Sequence, residues 1–376
     1  MRSDVKRFSP MGALPVRGRS RRPAMLRALA EVAERIAAAR LLEPMPEETL
    51  VPLAEADDVI LLCAQQGNGA VHTETWSQQL AVAHELAARG RTFAVTAEPD
   101  SVFEKSVAWA LPPRLIEPRL WNHARQVQEF VTGLEAQGNR TFLSAAETLY
   151  WENKAYMHRR FDDVGAPTPA TVIVDAASRD DADFDFEPLV VKQEHAAGSS
   201  GVRFFPGAEE AHDYIRSYGF KPGEHLIVQA VVPGATRDLR LTMVGDTPIG
   251  SATYWRIKSR ETLEAAEWRT TATSYGSTVR HEEPPARAVQ LCARIMHDLS
   301  IRTAGFDVMW AEDDLEGTPL VLELSPFFQP NPPSPDGDSS AYKRFKERRY
   351  RTDGYFERQH AAYREIAATI LDKGFF

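Results

Sequence analysis

Two carboxylates stand inside apolar stretches of this chain, Asp307 in Gly305-Phe306-Asp307-Val308 and Glu323 in Val321-Leu322-Glu323-Leu324-Ser325. An acid facing inward from a buried strand is costly unless a cation lies against it. Upstream, Lys192 ends the run Pro188-Leu189-Val190-Val191 and is followed by Gly198-Ser199-Ser200-Gly201-Val202. A lysine so placed needs an anion, and a Gly/Ser loop exposes backbone N–H groups able to wrap phosphate oxygens. Between these pieces, Thr236-Arg237-Asp238-Leu239-Arg240-Leu241 alternates charged and apolar residues, which puts Asp238 and Arg240 on one face of a strand. Arginine can hold a carboxylate or a phosphoryl group there by two parallel hydrogen bonds. Each piece alone has a bland alternative: a hairpin with an exposed lysine, a surface ion pair, two unrelated acids. Their order along one chain selects a grip for a phosphorylated ligand with a divalent cation. Magnesium suits carboxylate and phosphate oxygens. The loop is not a Walker sequence, because no Gly-Lys-Ser/Thr follows its glycines.

The elements that must position these residues follow from pattern. With 376 residues, 43% of them hydrophobic, the chain can bury a core divided into two or three lobes. Lys+Arg 44 against Asp+Glu 53 leaves a formal net charge of −9, which favours neither nucleic acid nor an anionic membrane. No run approaches the ~18 apolar residues of a membrane span. Residues 1–23, rich in arginine, read as a mobile tail ahead of a helix at 24–42. Cys63 and Cys292 lack metal or disulfide spacing, so buried thiols in the cytoplasm are expected. Val59 to Cys63, the loop Gln65 to Gly69, a helix from Thr73 to Arg89 closed by Gly90, and a strand at Thr92 to Thr96 form a β-loop-α-β unit of a parallel sheet. Gly67-Asn68-Gly69 has His72 where a third dinucleotide-binding glycine would stand, so it reads as a turn. A helix at 122–135 and a strand at 139–142 follow. One helix from Ser144 to Phe161 is predicted, entered through a Ser144/Glu147 capping box and stopped by Pro167 and Pro169. Glu194 and His195 read as a solvated pair. Leu226 to Gly234 reads as a strand ending in a Pro-Gly turn, Ile249 to Ile257 as a strand bearing Arg256, and Tyr355 to Leu371 as a helix. The charged run at 343–349 reads as a solvated face.

With Asn153-Lys154 ahead of Gly165-Ala166-Pro167-Thr168-Pro169, the ordered series resembles the ATP-grasp superfamily, carboxylate–amine ligase type, over about residues 145–332. The resemblance implies an α/β and α+β chain: an ATP-grasp fold, a preceding Rossmann-like α/β domain, and extra terminal helices. The expected division is a tail and helix at 1–50, the α/β domain at 51–143, a central lid lobe at 144–234, a metal-bearing lobe at 235–335 and a helical extension at 336–376. The implied cofactors are ATP and Mg2+. Lys154 and Lys192 would be the nucleotide lysines, and Gly198, Ser199, Ser200 and Gly201 the lid over the phosphates. Gln229 and Val232 would present backbone groups to the adenine edge, and Asp238 would orient Arg240 or reach the ribose. Asp307, Glu323 and Ser325 would hold metal, and Arg240 and Arg256 would stabilise developing charge. The chain departs from the pattern at Ala230, where a glutamate is usual, at Ser325, where an asparagine is usual and Asn331 is a substitute, and beside Arg269, where threonine replaces asparagine. The implied activity is amide or peptide bond formation through an acyl phosphate, with release of ADP and phosphate. The partners would be a small-molecule carboxylate and an amine, such as an amino acid or small peptide. Dimers are common in the family, and oligomeric state is left open. A small-molecule kinase or a non-catalytic nucleotide-binding module would use the same grip.

Overall fold

The computed structural model describes residues 49, 51–61, 73–96, 102–110, 120–151, 153–196, 201–265, 277–326, 330–331 and 355–375. The helix expected at 24–42, the loop at 65–72, Gly198 to Ser200, the stretch at 267–276 with Arg269, and the charged run at 343–349 lie outside the described residues.

The first sheet is all parallel. Strands β1 (Asp58–Leu61), β2 (Phe93–Thr96), β3 (Val107–Trp109) and β4 (Thr141–Phe142) pair in the order β2-β1-β3-β4. Helices α1 (Thr73–Ala88) and α2 (Leu120–Ala136) are the crossovers. Both faces are covered, which is why these strands are apolar runs rather than alternating ones. Ile60, Val107 and Trp109 join the core under α1, whereas Val59, Leu61 and Ala108 join Val127, Val131 and Leu134 of α2. Gly90 ends α1 with φ +67°, the left-handed cap that a side chain would strain.

The single helix predicted from Ser144 to Phe161 is two. Ser144 Oγ accepts from the Glu147 N–H, and the Glu147 carboxylate accepts from the Ser144 N–H at 2.8 Å, so the capping box is formed. It opens only α3 (Ala145–Thr148). Asn153 then caps a new helix, α4 (Lys154–Asp163), its Oδ1 accepting from the Tyr156 N–H at 3.1 Å. The break lets Lys154 start a helix of its own.

The second sheet is antiparallel, β5 (Thr171–Asp175), β6 (Leu189–Gln193), β7 (Val202–Phe205) and β8 (His225–Ala230) in the order β5-β8-β6-β7. One face, with Leu189, Val191, Leu226 and Val228, packs on Ala211 and Ile215 of α5 (Ala208–Ser217). By alternation the other face carries Val190, Lys192, Ile227 and Gln229.

The third sheet contains β9 (Arg237–Val244), β10 (Thr247–Pro248), β11 (Tyr254–Ile257), β12 (Thr278–Arg280), β13 (Thr303–Met309) and β14 (Leu320–Ser325). Its order is β12-β11-β9-β13-β14, with β10 also on β9. Two helices stand on either side of its edge strand β12 in the chain, α6 (Arg260–Ala265) and α7 (Ala286–Asp298). The strand expected from Ile249 starts only at Tyr254, because 250–252 is a tight turn held by Thr242, whose hydroxyl donates to the Ala252 carbonyl at 2.8 Å. Leu239, Leu241, Trp255, Phe306, Val308 and Leu324 pack with Ala288, Cys292, Ile295 and Met296 of α7. Helix α8 (Tyr355–Asp372) lies against α1, contributing Tyr363, Ile366, Ala367 and Ile370 to the first core. No helix among the described residues is long and apolar enough to cross a membrane.

Arg302, just before β13, ties these parts together. It donates to Glu147 through its backbone N–H at 2.8 Å and its guanidinium, to the Thr141 carbonyl at 3.2 Å and to the Phe375 carbonyl at 2.9 Å. Glu147 is buried. Arg302→Ala would leave its carboxylate without its main cationic partner, so the variant is expected to lose about 3 kcal/mol in urea unfolding; a loss below about 1 kcal/mol would show the junction to be held otherwise.

Candidate active site

The third sheet offers one polar face. Register pairs Arg256 with Asp238, Arg240 with Tyr254 and Asp307, and Asp307 with Glu323. Since Leu239, Phe306 and Leu324 point into the core, the intervening residues point away from it, and a slip of one residue would bury the charges.

Asp307 lies between two guanidinium groups. Arg240 Nη2 donates to its Oδ2 at 3.1 Å, Arg240 Nε lies 2.7 Å from its Oδ1, and Arg256 Nη2 lies 2.8 Å from the same oxygen. Burial alone would raise the Asp307 pKa, but the charges of Arg240 and Arg256 outweigh it and hold the carboxyl below its usual range. Arg256 also donates twice to Asp238, from Nε at 2.6 Å and Nη2 at 2.8 Å. Asp238, expected to orient Arg240 or reach a ribose, fixes Arg256 on the neighbouring strand. The reason is register: Asp238 and Arg256 are direct cross-strand partners, whereas Asp238 and Arg240 are two residues apart along one strand.

Two lysines face this cluster. Lys154 Nζ donates to the Ala196 carbonyl at 2.6 Å and lies 3.6 Å from Glu323 Oε1, linking α4 and the end of β6 to β14. Lys192 Nζ donates to Gln229 Oε1 at 2.5 Å, and the Gln229 amide donates to Thr171 Oγ1 at 2.9 Å. Burial pushes the Lys192 pKa down to about 8, with Lys154 adding to the effect and Glu323 and Asp307 opposing it. Gln229 was expected to offer its backbone to an adenine edge. Its strand is internal, paired with β5 through Thr171 and with β6 through Val190, and its side chain is the part that reaches the site, as the holder of Lys192. Val232 is buried just beyond the end of β8. Gly201 closes the base of the loop, its carbonyl accepting from the Gln193 N–H at 2.8 Å; a Cβ there would lie 2.5 Å from Ala196 Cβ.

Glu194 is not solvated as expected. It is 4% exposed, and Oε2 accepts from the His225 N–H at 2.9 Å and meets His225 Nδ1 at 3.0 Å. Arg159 Nη2 meets the other ring nitrogen at 3.0 Å, and the Lys154 N–H donates to the Glu194 carbonyl at 3.3 Å. This network fixes the segment that receives the Lys154 ammonium. Its partners lie dozens of residues apart, so no local signal announces it.

A divalent cation would rely on Asp307, its register partner Glu323 and the hydroxyl of buried Ser325; among the described residues no group of three or more His, Cys, Asp or Glu side chains forms a metal cluster. That donor set fits magnesium, which is commonly held by one or two carboxylates together with water and phosphate oxygens. Asn331, the expected substitute, donates through Nδ2 to the Tyr254 hydroxyl at 3.2 Å.

No family model matches this sequence, and no curated protein matches it. Solved structures do. D-cycloserine synthetase DcsG superimposes with a TM-score of 0.51 at 15% identity, over 82% of this chain and 99% of that one. D-alanine–D-alanine ligase from Bacillus anthracis superimposes with a TM-score of 0.50 at 12% identity, over 84% of this chain and 98% of that one. The chain has the ATP-grasp fold, with its mixture of parallel and antiparallel sheets.

Lys192 titrates below the 10.5 of a free lysine, so it costs stability below pH 8, and this cost is relieved as pH rises from 8 to 10.5. Lys192→Met is therefore expected to raise stability at pH 7 by about 2–3 kcal/mol, a gain that shrinks toward pH 10; unfolding at the two pH values measures it, and a loss at pH 7 would contradict it.

Proposed function

We propose that this chain is an ATP-dependent carboxylate–amine ligase that forms an amide or peptide bond. The observation that carries the reading is Asp307, clamped by Arg240 and Arg256, in register with Glu323 and faced by Lys154 from helix α4 and Lys192 from the second sheet. Cations and acids are thus arranged for a triphosphate and its metal.

The acid substrate's carboxylate attacks the γ-phosphorus, the bond to the ADP oxygen breaks, and an acyl phosphate forms. The amine then attacks the carbonyl, the C–N bond forms, phosphate leaves and a proton is released. Phosphorylation makes the carbonyl electrophilic with a good leaving group, so the protein supplies position and charge rather than a nucleophile. Lys154 and Lys192 hold phosphate oxygens, with Gln229 keeping Lys192 in place. Arg256 is fixed by Asp238 and forms a rigid floor. Among the described residues Asp307 is the one carboxylate within ion-pair distance of Arg240, with Glu323 attracting it from farther off, which leaves it the group to turn toward charge developing on the transferring phosphoryl. Asp307, Glu323 and Ser325 would hold magnesium, which neutralises charge between the phosphates when bound. Acid and amine are small molecules of the amino acid or small peptide class.

Phosphate release over a panel of acid and amine pairs with Mg-ATP, followed by product mass, tests this. Arg240→Lys should lower kcat about 10²–10³-fold; Asp307→Asn and Lys154→Met should abolish turnover in folded protein. Undiminished turnover in the last two sinks the reading.

A further inference from the structure

Helix α4 places His158 one turn after Lys154, on the same side of the helix. The helix is held in place, packing against β8 and β14, with Met157 Sδ accepting from the Leu324 N–H at 3.1 Å. The imidazole is 2% exposed and sits edge-on to Phe161, ring centroids 5.7 Å apart. Neither ring nitrogen has a hydrogen-bond partner among the described residues. Burying both without partners is costly, and a phenylalanine would fill the space without that cost.

The charges this ring feels are those of the two lysines of the site. Burial, then Lys192, then Lys154 push its pKa down to about 3, so the ring is neutral with one N–H donor and one acceptor nitrogen. Its nitrogens are no more shut off from solvent than Arg240 Nε and Asp307 Oδ1, which belong to the site itself. A third cation would add to the repulsion between Lys154 and Lys192. A neutral N–H adds a directed donor without that repulsion.

Resting on the nucleotide reading given above, we propose that His158 is a third donor to the nucleotide's phosphate chain, its imidazole N–H reaching a phosphate oxygen between Lys154 and Lys192. The unsatisfied ring is then a group whose partner arrives with the ligand, and the stability it costs the free protein is returned as affinity.

Calorimetric titration of Mg-ATP into the full-length wild type, His158→Phe and His158→Gln, with the melting temperature of each free protein, tests this. His158→Phe keeps the bulk and loses the donor; it is expected to bind Mg-ATP about tenfold or more weakly while melting at the same temperature or higher. His158→Gln keeps an N–H donor and is expected to bind within about threefold of wild type. His158→Phe binding within about threefold of wild type overturns the proposal, as does a weakening accompanied by a lower melting temperature or shared equally by His158→Gln. Failure of the wild type itself to bind Mg-ATP overturns the nucleotide reading, and the proposal falls with it.

Discussion

The arrangement depends on one buried charge cluster, Asp307 between Arg240 and Arg256. Opposite charges in a poorly solvated place attract strongly, but each loses hydration, so the cluster persists only where its geometry satisfies nearly every donor and acceptor. Asp238 completes it by taking two hydrogen bonds from Arg256. Arg256 is held on two sides, whereas among the described residues Arg240 has Asp307 alone within ion-pair distance.

That cluster dictates how the surrounding sheet is built. Alternation along β9, β11 and β13 takes Leu239 and Phe306 to α7 while Asp238, Arg240, Arg256 and Asp307 face the other way, and on β14 a one-residue register shift beside Asp307 lets Val321 and Leu324 both reach the core with Glu323 facing away. Across from them, the second sheet turns its polar face inward and brings Lys192 under the influence of Asp307 and Glu323. Lys154 links the two sheets, since its ammonium meets the Ala196 carbonyl and approaches Glu323. The site therefore belongs to neither sheet alone. The network of Glu194, His225 and Arg159 behind Lys154 holds that link in place, and His158 lies in the same layer of the structure.

Much of this was legible in the residues. The alternation around Asp238 and Arg240 and the apolar strand bearing Lys192 predicted which residues share a face, whereas Glu323 shares a face with Asp307 through a register shift on β14 that no period announces. The parallel first sheet followed from apolar runs separated by a helix. What the pattern misread is equally specific. Asp238 was matched to Arg240, its neighbour along the strand, when its partner is across the ladder. Gln229 was assigned a backbone role that an internal strand does not leave free. Glu194 looked solvated because charge beside a Gly/Ser loop usually is. The helix through 149–153 looked continuous because Asn153 reads as an interior residue until its cap is seen.

The sequence by itself determined which residues share a face, because side-chain direction along a strand or helix repeats with a fixed period. Tertiary structure alone decided which charge meets which. Pairing across a ladder depends on register, and contact between sheets depends on how two packed layers are set against one another, neither of which a local period contains. His158 illustrates the difference: its place one turn from Lys154 is a matter of counting, whereas its burial under the charges of Lys192 and Lys154, with no hydrogen-bond partner among the described residues, exists only once the lobes are assembled.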